Sequence, residues 1–251
     1  MLQNKTIIIT GGCGLLGKAL AQEIIKQNGT VIIGDINEKI GIEIEKENPS
    51  KAYYFKLDTS SLDSIKSFFK LVSKKFKFID ASIHSAYPRS KQWGTKFENL
   101  SEKYLKEDLS NQLGGAILFS QQILELFKTQ KKGNLIHIAS IQGLQAPKFN
   151  HYENTDMTSP IEYSAIKAGI INMVRYLSKY YKGNNIRVNA VSLGGLLDKQ
   201  PELFLKNYRQ DCNNKGMLNT KDITGTVIYL LSELSEFVNG QNIIVDDGWS
   251  L

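Results

Sequence analysis

A chain of 251 residues with 41% hydrophobic and 22% charged side chains has apolar material enough for an ordinary globular core, which excludes a disordered chain. Its 31 basic and 25 acidic residues leave a formal charge of +6. The lysines are scattered, with doublets only at places such as Lys74-Lys75 and Lys131-Lys132, so no nucleic-acid surface is expected.

Two cysteines, Cys13 and Cys212, make neither a disulfide framework nor a metal-ligand spacing. No apolar run approaches the ~20 residues that span a bilayer, so the expectation is an uncleaved, soluble, cytoplasmic protein with no membrane partner.

The first apolar run, Thr6 to Thr10, reads as a buried strand. It leads into Thr10-Gly11-Gly12-Cys13-Gly14-Leu15-Leu16-Gly17 and a helical pattern from Leu15 to Asn28. Glycines in such a turn let backbone approach a pyrophosphate, and the unpaired N–H groups of the helix start favour that anion. Gly11, Gly14 and Leu16 are therefore candidate cofactor contacts. A second strand, Thr30 to Gly34, ends at Asp35. A carboxylate there accepts from both hydroxyls of an adenosine ribose and repels a 2′-phosphate. Ile36 follows it, so no cation is offered, and NAD is favoured over NADP.

The alternation then continues. A helix over Asn37 to Glu47 precedes a strand over Ala52 to Leu57 that runs into Asp58-Thr59. A helix over Ser61 to Lys75 precedes the strand Ala81 to His84, which is followed by Ser85-Ala86-Tyr87-Pro88-Arg89 and a long helix over Ser101 to Lys128. The fifth strand, Asn134 to Ala139, ends at Ser140, and the next helix, Pro160 to Tyr181, contains Tyr163-Ser164-Ala165-Ile166-Lys167. A strand over Arg187 to Ser192, helices over Pro201 to Asn213 and Lys221 to Leu231, and a strand over Ile243 to Val245 complete the pattern.

Strands that are nearly all apolar must be buried on both faces. The pattern predicts an α/β fold: one doubly wound Rossmann-type domain over residues 1–251 with a seven-stranded parallel sheet. No linker or repeat divides the chain, and few residues follow the last strand. The substrate pocket is therefore expected from loops at the carboxyl ends of the strands, at 85–100, 141–160 and 193–216.

Tyr163 and Lys167 lie on one face of their helix. A phenol ordinarily titrates near pH ~10, but an adjacent ammonium and a cationic nicotinamide both favour the phenolate, which then exchanges a proton with a substrate hydroxyl. With these pieces in order, the chain resembles the short-chain dehydrogenase/reductase family over essentially its whole length. The matching segments are the Thr10-Gly11 turn, Asp35, Leu57-Asp58-Thr59, Ser140 and the Tyr163-to-Lys167 motif. Ile186-Arg187-Val188-Asn189 before Leu193-Gly194-Gly195, and Gly240 with Asp246-Asp247-Gly248, complete them.

The resemblance implies that Tyr163 is the catalytic acid/base and that Ser140 hydrogen-bonds the substrate oxygen. Lys167 would bind the nicotinamide ribose and lower the tyrosine pKa. Asp58 and Thr59 would contact the adenine, with Ser85, Ala86 and Gly194 as further cofactor contacts. A proton-relay residue falls at Gln112, with Asn111 as the alternative. Assembly as a homotetramer or homodimer would pair the two long helices, where Ala165, Ala168 and Gly169 allow close approach.

Departures from the family pattern are informative. The glycines at 11, 14 and 17 follow G-x-x-G-x-x-G, the spacing of the family's extended branch, yet the short C-terminus leaves no room for that branch's substrate domain. The Asn-Asn-Ala-Gly element is His84-Ser85-Ala86-Tyr87 here, and the usual Pro-Gly is Leu193-Gly194. Ser140 and Tyr163 stand 23 positions apart, well beyond the family's common spacing, with the excess in Ala146 to Pro160. Such a loop beside the nicotinamide is where selectivity is built.

Tyr152, Met157 and Arg89 therefore join Ser140 and Tyr163 as candidate substrate residues, Arg89 as a partner for phosphate or carboxylate. The insert, Ala86-Tyr87-Pro88-Arg89 and Asp246-Asp247-Gly248-Trp249 resemble a bacterial subgroup associated with flagellin modification and surface-sugar biosynthesis. The expected activity is NAD(H)-dependent interconversion of an alcohol and a carbonyl on a small molecule, a sugar phosphate or nucleotide sugar. The alternatives are a non-catalytic NAD(H)-binding sensor and an epimerase or dehydratase that oxidises transiently. His84, His137 and His151 fall on or beside different strands without ligand spacing, so no metal is expected.

Overall fold

The computed structural model describes residues 1–251. The first half runs β1 (Thr6–Thr10), α1 (Leu15–Lys26), β2 (Thr30–Asp35), α2 (Glu38–Glu47), β3 (Ala52–Lys56), α3 (Leu62–Lys75) and β4 (Ala81–His84). The second runs α4 (Glu102–Asp108), α5 (Gly115–Gln130), β5 (Gly133–Ser140), α6 (Ile161–Tyr180), β6 (Ile186–Leu193), α7 (Glu202–Arg209), α8 (Thr220–Leu231) and β7 (Asn242–Val245). All seven strands pair in parallel in one sheet, ordered β3-β2-β1-β4-β5-β6-β7. This is the doubly wound sheet that the alternation of apolar runs and helical periods predicts.

The strand period of two sorts each side chain to one of two cores. Ile7, Ile9, Val31 and Ile33 pack with Leu20 and Ile24 of α1 and Val227 of α8. Their neighbours Ile8 and Ile32 point the other way, into Phe68 of α3, Phe119 of α5 and Ile166 of α6. Burying one such isoleucine stabilises the fold by about 1.5–3 kcal/mol relative to leaving it exposed. Polar caps start several helices: Asn37 accepts from the Ile40 N–H at 3.2 Å, and Asn219 forms a capping box with Asp222. In contrast, α1 begins at Gly14, with no side chain closing its first turn.

Two expectations about helices need correction. The helix expected to run unbroken from Ser101 to Lys128 contains a π-helical turn, Leu109–Gly114, between α4 and α5. The Gly114-Gly115 pair weakens helical preference there, and Gly115 backs onto the Thr59 carbonyl, where a Cβ would come within 2.5 Å. The helix expected to reach Asn213 stops at Arg209. The reason is remote: the Asp247 carboxylate accepts the N–H groups of Asn214 at 3.1 Å and Gly216 at 2.9 Å, and that of Lys215 between them. A segment held in this way cannot continue a helix.

From β1 the chain winds outward through β2 and β3, then returns to β4 on the other side of β1. The order reverses there, so the connections leave β1 and β4 in opposite directions and open a crevice at their carboxyl ends. A cavity of about 860 Å³ occupies it.

Candidate active site

At one end of the cavity the β1–α1 turn presents bare backbone. Gly11 has φ +67°, and a Cβ on Gly17 would lie 2.2 Å from the Gly11 carbonyl oxygen, so both positions require glycine. Gly14 differs: it lines the cavity, and a Cβ there would meet only that same oxygen, at 3.3 Å. This is a cradle that a side chain would fill, and it suits the pyrophosphate of a dinucleotide.

Asp35, at the end of β2, accepts the Cys13 N–H at 2.9 Å through one carboxylate oxygen and the Asn37 N–H at 2.9 Å through the other. It therefore staples the turn to β2, and with about four acceptor sites per carboxylate it keeps capacity for ribose hydroxyls. Burial, reinforced by Asp35, pushes the Cys13 thiol up to about 12. Leu16, Ile36, Asp58 and Thr59 line the same end, and Ser85, Ala86 and Gly194 line the cavity further along.

Ser140 closes β5, and α6 brings Tyr163 and Lys167 to the same wall. The Lys167 ammonium, 7% exposed, donates to the Ile138 carbonyl at 3.0 Å, and burial lowers it to about 8. Burial pushes the Tyr163 phenol up, while a hydrogen bond with Ser140 opposes the rise. Two further rings grip the phenol. Tyr87 stands edge-on to Tyr163 at 5.7 Å and Trp93 at 5.9 Å, and these two meet each other at 5.3 Å. The Lys167 Nζ lies 5.5 Å from the centroids of both Tyr87 and Tyr163. Tyr87 was visible in the sequence as a departure from a family glycine and as part of a subgroup resemblance, and Trp93 carried no signal.

Beneath this wall lie two buried histidines. Thr10 Oγ1 accepts the N–H groups of Ser85 and Ala86, both at 3.2 Å, so its own proton goes to His84 Nδ1 at 3.0 Å. Ser120 donates to the Ala116 carbonyl at 2.7 Å and so accepts from His137 Nε2 at 3.0 Å. Burial lowers His84 to about 3 and His137 well below the ordinary range, in both cases with a contribution from Lys167. Both rings are therefore neutral, and His84 fixes the loop after β4.

Gln112 sits in the π-helical turn, 5% exposed, and neither polar atom of its side chain has a protein partner. Neither it nor its alternative Asn111 lines the cavity, unlike the other candidate residues.

The insertion closes the far side. It holds one short 3₁₀ turn, Phe149–Tyr152. Asp211 ties it down by accepting from His151 Nε2 and, at 2.9 Å, from Lys148 Nζ. Lys148 also donates to the Trp249 carbonyl at 3.2 Å and lies 4.8 Å above its indole, which stacks on Tyr208. Insertion, α7 and the closing segment thus form one wall, from which Tyr152 and Met157 face the cavity. His151 is a tie in that wall, 1% exposed. Nothing in the sequence linked it to Asp211, 60 positions away. Arg89 is exposed at the cavity rim, 5.5 Å from the Tyr87 ring, and forms no ion pair.

Residues 15–250 match the protein family described as Enoyl-(Acyl carrier protein) reductase. The chain is 43% identical to the Post-translational flagellin modification protein A of Campylobacter coli, covering 100% of both chains. It is 27% identical to the 7alpha-hydroxysteroid dehydrogenase of Bacteroides fragilis, over 99% of this chain and 95% of that one. A short chain dehydrogenase from Leptospira borgpetersenii, solved with bound NAD+, superposes with a TM-score of 0.90 at 30% identity, over 100% of this chain and 94% of that one. No helix is long and apolar enough to cross a membrane.

Proposed function

The chain belongs to the short-chain dehydrogenase/reductase family, and from that premise we propose that it is an NAD(H)-dependent oxidoreductase interconverting an alcohol and a carbonyl by hydride transfer. One observation carries the proposal: Ser140, Tyr163 and Lys167 converge in the same cavity as the Gly11–Gly17 turn and Asp35. Bound NAD+ would supply the hydride acceptor. Ser140 orients the substrate oxygen. Tyr163 takes the hydroxyl proton in oxidation and returns it in reduction, and the nearby Lys167 ammonium favours the phenolate. Gln112, whose buried amide lacks a protein partner, is our choice for the relay position over Asn111.

Gly11, Gly14 and Leu16 would hold the pyrophosphate, Asp35 and Ile36 the adenosine ribose, Asp58 and Thr59 the adenine, and Ser85, Ala86, Lys167 and Gly194 the nicotinamide half. The whole chain acts as one NAD(H)-binding domain, with substrate loops at 85–100, 141–160 and 193–216. The substrate is a sugar phosphate or nucleotide sugar of surface-glycan or flagellin-modification metabolism. Support comes from the name of the Campylobacter coli relative and from Arg89, an unpaired cation at the rim of the cavity that Tyr152 and Met157 also line. The protein works in the cytoplasm as a homotetramer.

The test mixes purified protein and NAD+ with nucleotide sugars and sugar phosphates and follows NADH. Net NADH with one of them supports a dehydrogenase; conversion without net NADH marks an epimerase or dehydratase. Cofactor binding with no conversion of any kind points to the sensor. In the same preparation NADH should bind at least about tenfold tighter than NADPH, a difference of about 1.4 kcal/mol. Joint Asp35→Ala and Ile36→Arg should narrow or reverse that preference. Equal affinities in the parent protein would refute the role given to Asp35.

A further inference from the structure

We propose that Tyr87 is a positioning residue of the reaction, its ring face holding the Lys167 ammonium beside Tyr163. The inference rests on the reading of Tyr163 and Lys167 as the catalytic pair. The general family pattern has glycine where Tyr87 stands, so the ring is a departure from that pattern. Lys167 needs such a surface. It is buried, it pairs with no carboxylate, and its one hydrogen bond goes to the Ile138 carbonyl. Beyond that carbonyl, two ring faces lie near the ammonium, each with its centroid 5.5 Å from Nζ. A cation within about 6 Å of a ring centroid is attracted by the ring quadrupole; here the ammonium is buried and the Tyr87 ring is 40% exposed.

Tyr87 is held in place from both sides. Thr10 Oγ1 accepts the Ala86 N–H at 3.2 Å, and buried Asp108 accepts the N–H of Ser90 at 2.8 Å and its hydroxyl at 2.7 Å. Trp93 then backs the ring edge-on. The charged and titratable groups around it are few. Arg89 lies 5.5 Å from the same ring, and Asp108 and Glu162 act on Tyr87 from α4 and α6. Near Lys167 the two histidines are neutral. Around pH 8, therefore, Lys167 is the group of this site that changes charge.

The experiment measures NADH affinity by fluorescence across pH 7 to pH 10, in the parent and in Tyr87→Leu, Tyr87→Met, Tyr87→Phe and Lys167→Met. In the parent, affinity should weaken as Lys167 loses its proton near pH 8. Without the ring face the ammonium is less favoured, so Tyr87→Leu and Tyr87→Met should move that midpoint down by about half to one pH unit. Tyr87→Phe keeps the face and should keep the parent midpoint. Lys167→Met should abolish the transition. A parent midpoint in both non-aromatic variants would overturn the proposal, as would a phenylalanine variant that shifts as far as they do. If one of the two non-aromatic variants fails to fold, the other decides. Should Lys167→Met retain the transition, the underlying assignment of Lys167 fails instead, and the two failures are distinct.

Discussion

Lys167 ordinarily titrates at 10.5 and is lowered by burial to about 8, so between those values the unfolded chain binds a proton that the folded chain lacks. Stability therefore rises with pH across that window and is penalised below it. Lys167→Met removes the buried charge and keeps most of the side-chain volume. At neutral pH it should stabilise the cofactor-free protein by about 1–3 kcal/mol, and the advantage should vanish above the ordinary lysine range. Denaturant unfolding of both proteins at two pH values measures this; an advantage independent of pH would show that charge burial is not its source. Tyr163→Phe removes only the oxygen proposed to exchange the proton. Melting temperature and NADH affinity should hardly change, while turnover falls about 10²- to 10⁴-fold, toward the upper end because the phenol also fixes the substrate oxygen. Full turnover in this variant would remove Tyr163 from its role.

Among the elements, the β1–α1 turn separates folding from binding at two glycines three positions apart. A Cβ at Gly17 would sit 2.2 Å from the Gly11 oxygen and 2.7 Å from the Gly12 Cα. Gly17→Ala should therefore cost about 1–3 kcal/mol of stability, as overpacking does, visible as a lower melting temperature. A side chain at Gly14 points into the cavity. Gly14→Val should leave the melting temperature of the cofactor-free protein nearly unchanged and abolish NADH binding in a fluorescence titration. If Gly14→Val binds NADH as the parent does, the pyrophosphate does not rest on this turn.

Over the whole molecule, the sheet is covered on both faces, and α5 and α6 carry part of what remains apolar outside. Ile117 of α5 and Ile161, Tyr176 and Tyr180 of α6 are exposed, at 50%, 49%, 63% and 68%. Apolar groups on neighbouring helices suit pairing with a second copy better than they suit water. Light scattering at micromolar concentration should give the mass of a tetramer. A monomer mass would contradict assembly through these helices.

The elements that could be read from the sequence are those whose causes are local. Ile7 to Ile9 and Val31 to Ile33 announce strands because an apolar run is buried wherever it lies in a parallel sheet. Gly11 and Gly17 announce a tight turn because their backbone geometry excludes side chains. Tyr163 and Lys167 stood out through a spacing set within one helix, and Ser140 through its place at the end of a strand in the family pattern. Other features depend on groups far apart in the chain. The end of α7 is decided by Asp247, the course of the insertion by Asp211, and the cage around Tyr163 by Tyr87 and Trp93 from the loop after β4. No periodicity encodes these meetings. They exist only after the sheet has brought its carboxyl ends together, which is why the sequence alone determined the scaffold and pointed to the candidate catalytic residues, and the tertiary structure decided the walls around them.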